Sequence, residues 1–180
     1  MLPVISLIGC SGNNATVFLH PEYNFQFVER VAVIPFENLS KSQGAGERVT
    51  RVFLTELLAE RAFDVVEPGE VSRVLEKYAT VRTGQLTQEE IVNIGKELKV
   101  QSLILGTVAE LASVRSGSGE ASTATLVVRM VETETGQTVW SATRTAGGKG
   151  FWSSLFGTGS KSESGVIRDC VRGILSSLIK

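Results

Sequence analysis

The sequence is poor in the residues that most often carry chemistry. Its 180 residues include one histidine and two cysteines. The lone histidine, His20 beside Pro21, cannot by itself assemble a histidine-based triad or a histidine-rich metal site. Its expected role is a solvated linker residue. Two cysteines, Cys10 and Cys170, allow at most one intramolecular disulfide. Charge of one sign is also lacking. The net charge is −1 with acids and bases interspersed, so there is no electrostatic footprint for nucleic acid. No apolar run reaches the ~18 residues of a transmembrane helix. The glycine-rich Gly157-Thr158-Gly159-Ser160-Lys161-Ser162 fails as a phosphate loop, because Ser160 stands where glycine must precede the lysine. Carboxylates recur in pairs, but Glu89-Glu90 open a helix and Glu132/Glu134 flank a turn. The expectation is a non-enzymatic chain with no metal, no cofactor and no small-molecule substrate. A hydrolase using carboxylates is the weakest reading.

What is present begins near the amino terminus. Leu7-Ile8-Gly9-Cys10 fits the bacterial lipobox, in which the cysteine becomes the acylated first residue of the mature chain. On this reading residues 1–9 are a truncated signal peptide, 10–26 the lipidated cysteine and its tether, and 27–180 one periplasmic domain. The apolar run is short and no Lys or Arg precedes it, so a start upstream of Met1 is expected. Small uncharged residues, Ser11 to Thr16, follow as a tether would. Ser11 is not the aspartate of inner-membrane retention, which favours the outer membrane of a Gram-negative cell. The alternative is a short strand with a buried Cys10, and a Cys10–Cys170 bridge then stays open.

Periodicity outlines the domain. Val31-Ala32-Val33-Ile34, closed by Pro35, is a continuous apolar run that suits a strand buried on both faces. Residues 47–62 place Val49, Val52, Phe53 and Leu57 at helical spacing. Residues 63–66 are a short strand, and Pro68 opens a short helix through Tyr78. Thr87-Gln88-Glu89-Glu90 is a capping box for a helix with Ile91, Ile94 and Leu98 on one face. Residues 102–110, 124–131 and 138–145 are strands, with a turn-rich tip at 116–120 and a hairpin turn at Thr133-Glu134-Thr135-Gly136. Ile167, Cys170, Val171, Ile174 and Leu178 stripe a final helix, where Cys170 acts as a small core hydrophobe. The fold class is α/β, one mixed sheet of about five strands covered by helices.

Three segments carry a resemblance. They are Val31–Phe36 with Glu37-Asn38-Leu39-Ser40, Leu103–Glu110, and Glu134-Thr135-Gly136-Gln137-Thr138-Val139-Trp140-Ser141. In this order and spacing they resemble the curli-secretion (CsgG-type) lipoproteins. Relatives of that family are the penicillin-binding-protein activator lipoproteins and the amino-terminal domain of the Tol-system β-propeller protein. The resemblance covers about residues 28–145. It implies an outer-membrane lipoprotein, anchored through acylated Cys10, whose domain binds envelope proteins or further copies of itself in envelope biogenesis or secretion. It implies no active site. The alternative it carries is a subunit of an oligomeric secretion channel. The sequence departs from the channel pattern, because 110–124 and 145–166 lack the sustained alternation of membrane-spanning hairpins.

One stretch stands apart. Phe151, Trp152, Leu155 and Phe156 lie within a Gly/Ser-rich segment. They either fold back onto the sheet or form a contact for a partner or a second subunit, since aromatic residues dominate binding hot spots.

Overall fold

The computed structural model describes residues 15–78, 85–116, 119–147 and 162–179. The chain forms one mixed sheet of seven strands: β1 (Thr16–Leu19), β2 (Arg30–Val33), β3 (Glu37–Asn38), β4 (Asp64–Val65), β5 (Ser102–Ser116), β6 (Gly119–Glu132) and β7 (Thr138–Gly147). Across the sheet the order is β1-β7-β6-β5-β2-β4, with β3 pairing β5 beyond the end of β2. β2 runs parallel to both β4 and β5. β5, β6 and β7 form an antiparallel meander, and β1 closes it antiparallel to β7.

Among the described residues four α-helices cover the sheet: α1 (Ala45–Glu60), α2 (Pro68–Leu75), α3 (Gln88–Leu98) and α4 (Glu163–Leu178). The alternation of side chains along β2 divides them into two layers. Val31 and Val33 enter the larger core with Val49, Phe53 and Leu57 of α1 and with Val166, Cys170 and Ile174 of α4. Ala32 and Ile34 enter the smaller core with Val71 of α2 and with Ile91, Ile94 and Leu98 of α3. This two-sided burial is why β2 reads as an unbroken apolar run.

Local rules set the boundaries. Pro68 occupies the first turn of α2, where its missing N–H costs nothing. The Thr87 hydroxyl accepts from the Glu90 N–H at 3.2 Å, and the Glu90 carboxylate accepts from the Thr87 N–H at 2.7 Å. Gly136 holds φ at 70° in the β6–β7 turn, a conformation that favours glycine. Glu56 of α1 accepts from Arg172 of α4 at 2.7 Å and pairs with Arg168 at 3.2 Å, which bridges the two helices at the surface.

The sheet departs from the expected five strands in two places. β3 is two residues long and follows a proline, so no period announces it. The ladder breaks between β2 and β3, and the chain then resumes pairing with β5 at Glu37 and Asn38. β1 lies within the segment expected to be tether. All four of its side chains are exposed, so it lacks the half-buried alternation of a strand and is held by its pairing with β7. The β5–β6 hairpin is also longer than expected. Residues 111–116 and 119–123 pair as strands rather than forming a turn-rich tip. The hydroxyls of Ser113 and Ser122 hydrogen-bond across it at 2.8 Å, so polar pairing takes the place of an apolar pattern there.

Candidate binding surface

Several of the described titratable groups serve local structure. Among the described residues no group of three or more His, Cys, Asp or Glu is placed to hold a metal ion. The His20 Nδ1 accepts from the Glu22 N–H at 3.4 Å, a local turn contact. Glu90 is committed to its capping box, and Glu132 accepts from the Thr135 hydroxyl at 2.6 Å. Cys170 is fully buried, and its thiol donates to the Arg144 carbonyl at 3.1 Å. Burial pushes its pKa up to about 11, far from a reactive thiolate.

A groove of about 710 Å³ opens where the carboxyl end of α3 meets the β6–β7 turn. Tyr23, Phe27, Lys96, Lys99, Glu132 and Glu134 line it. The Tyr23 ring stands edge-on to Phe25 with centroids 4.9 Å apart. Burial raises the Tyr23 pKa; the Ser102 hydroxyl opposes that shift, and Glu132 and Glu134 reinforce it. The floor is closed by Thr133, whose buried hydroxyl donates to the Val100 carbonyl at 2.6 Å. Cations and carboxylates from different elements share this rim with two aromatic rings.

Among the described side chains, the most exposed apolar strand is β1. Val17, Phe18 and Leu19 are 38%, 49% and 51% exposed. β1 pairs with β7 in the register Thr16↔Thr143, Val17↔Ala142, Phe18↔Ser141 and Leu19↔Trp140. The His20 N–H donates to the Val139 carbonyl at 2.9 Å, which fixes the phase of this ladder. Antiparallel bonding alternates with a period of two. The even-numbered residues therefore turn their backbone groups toward β7, and Val17 and Leu19 turn theirs outward. Among the described residues no strand pairs with that outer side. An unpaired edge of this kind is a template for a further strand.

The other sheet edge is guarded. β4 is two residues long and is followed by Glu67 and Pro68. Its Asp64 pairs with Arg30 of the neighbouring strand at 3.2 Å. Short length, charge and proline are the usual defences of an edge. β1 itself carries no charge and no proline; Pro21 and Glu22 come only after its last residue, beyond His20.

Of the residues singled out from sequence, Cys10, Phe151, Trp152, Leu155 and Phe156 lie outside the described residues. Sequence reasoning passed over Thr16–Leu19. The available signal was Val17-Phe18-Leu19 itself, an apolar run holding the β-favouring Val17 and Phe18 directly after the polar stretch Ser11–Thr16.

No known family model matches the chain, and no curated protein matches it in sequence. Its fold does match solved structures. A PelC dodecamer variant from Paraburkholderia phytofirmans aligns with a TM-score of 0.64 at 17% identity, over 92% of this chain and 97% of that one. The lipoprotein GNA1162 from Neisseria meningitidis aligns with a TM-score of 0.61 at 14% identity, over 83% and 97%. The LpoB carboxyl-terminal domain from Salmonella enterica aligns with a TM-score of 0.51 at 13% identity, over 66% and 82%. At these identities the shared property is the fold.

Proposed function

We propose that this chain is an envelope lipoprotein, anchored through Cys10 to the outer membrane, whose α/β domain binds protein partners and catalyses nothing. The observation that carries the reading is the outer side of β1. Its backbone groups are unpaired among the described residues, and Val17, Phe18 and Leu19 are exposed beside them. Strand addition supplies affinity through main-chain hydrogen bonds and specificity through alternate side chains. The lipobox motif Leu7-Ile8-Gly9-Cys10 supports the anchor. Fold likeness to a lipoprotein and to a protein that forms a dodecamer supports an assembly role.

Site-specific photocrosslinking tests this reading. A photoreactive phenylalanine replaces Phe18 in the full chain in living cells. Protein adducts at this position, and none from exposed Thr55 on α1, are the expected result. An equal yield at both positions, or no protein adduct at Phe18, would remove the binding edge from the account.

A further inference from the structure

We infer that the partner of the β1 edge is the β1 edge of a second copy of this chain, paired antiparallel about a two-fold axis at Phe18. The inference rests on the binding reading above and names the occupant of that surface.

Register selects this pairing. Only Val17 and Leu19 turn N–H and C=O groups outward, as the His20 to Val139 bond and the β1–β7 register require. Two such edges meet fully only if each outward residue faces an outward residue. Placing Val17 opposite Leu19 of the second copy, and Leu19 opposite its Val17, satisfies this. All four outward groups on each strand then find partners, through four hydrogen bonds. Phe18 falls opposite its own copy at a non-hydrogen-bonded position, where side chains approach most closely. Moving the axis to Val17 or to Leu19 leaves one outward residue of each copy without a strand partner among residues 16–19.

Side chains agree with this register on both faces. Leu19 pairs with Trp140 and Val17 with Ala142, both members of the core under α1 and α4. Val17 and Leu19 therefore lie on the helix side of the sheet, just beyond the part that is covered. In the dimer they meet their counterparts there and form an apolar strip. Phe18 pairs with Ser141 on the opposite face, where the two Phe18 rings gain an aromatic cross-strand contact. No charge on β1 opposes the approach. Two seven-stranded sheets would join into one continuous sheet.

Size sets the strength. A pairing of four residues a side falls short of the ~1,200 Å² at the low end of stable interfaces. The dimer is therefore weak in dilute solution and depends on protein concentration.

The test is sedimentation equilibrium of the full chain over a concentration series up to about 1 mM, the range that weak association requires. The wild type should pass from monomer to dimer. Leu19→Pro removes an outward N–H while leaving the bonds to β7 in place, as proline on an edge strand does. Phe18→Lys sets like charges directly opposite each other across the axis. Both variants should stay monomeric over the whole series. Their melting temperatures should match the wild type, which separates lost association from lost folding. Under mild oxidation Phe18→Cys should give a disulfide-linked dimer, and Thr16→Cys should give none. A wild type that stays monomeric throughout, or variants that dimerise as the wild type does, would overturn self-pairing. If Phe18 still crosslinks to another protein in cells, the binding reading stands and only the identity of the partner falls.

Discussion

The break between β2 and β3 offers a sharp test of the packing. At Pro35 the chain leaves the ladder, having made its last bond from the Ile34 N–H to the Ile104 carbonyl at 2.9 Å. It rejoins β5 at Glu37 and Asn38, and just beyond them the Leu39 N–H donates to the Val108 carbonyl at 3.0 Å. The Phe36 N–H in between has no strand to pair with. It donates instead to the Thr50 hydroxyl of α1 at 2.8 Å, and that hydroxyl donates to the Gly46 carbonyl at 2.8 Å. Thr50→Val keeps the volume and removes the oxygen. Thr50 is buried, and the added valine methyl fills the position of the oxygen, so water does not take its place. The Gly46 carbonyl keeps its helical bond, so the loss falls on one buried N–H. Leaving such a group unsatisfied costs about 1–3 kcal/mol. In a domain of this size that lowers the melting temperature by about 2–12 °C. Calorimetry and urea unfolding at neutral pH measure it, and Thr50→Ser, which keeps the oxygen, serves as the control. A Thr50→Val variant within about 0.5 kcal/mol of the wild type, the scatter of ordinary surface substitutions, would refute the reasoning.

Three further outcomes are expected, two from the structure and one from the proposed anchor at Cys10. The Cys170 thiol is raised from an ordinary 9.0 to about 11 by burial, so its contribution to stability is complete below pH 9 and is lost as pH rises through 11. The stability difference between wild type and Cys170→Ala should therefore shrink by up to about 3 kcal/mol between pH 8.5 and 11.5, read by urea unfolding. Glu56→Gln weakens the contacts to Arg168 and Arg172, both largely exposed, and should cost under about 1 kcal/mol in dilute buffer and almost nothing in 1 M salt. Cys10→Ala should move the chain from the membrane fraction to the soluble periplasm, assayed by fractionation and by mass spectrometry of the mature amino terminus.

Legibility in the sequence followed burial. The run at Val31–Ile34 was readable because both of its faces are buried, so hydrophobicity alone marks the strand. The capping box at Thr87 was readable because its two bonds lie within four residues of sequence. Cys170 was readable as core because its helix stripe is unbroken. β1 was not, because its partner β7 lies more than a hundred residues away and its side chains are exposed. β3 owes its position to a proline and to a helix threonine rather than to any period of its own. The outer part of the β5–β6 hairpin pairs through serines, which read as a turn. The proposed binding surface was hidden for the same reason as β1. An open edge is a property of sheet order, and sheet order is set by contacts distant in sequence.

Amide hydrogen exchange of residues 17–20, followed by NMR at low and high protein concentration, tests the central claim most directly. The account predicts fast exchange of the Val17 and Leu19 amides at low concentration, with the Phe18 and His20 amides protected by β7. At high concentration Val17 and Leu19 should slow toward their neighbours. Val17 and Leu19 amides already protected in the dilute monomer, or unchanged as the protein is concentrated, would contradict an open edge that assembly covers.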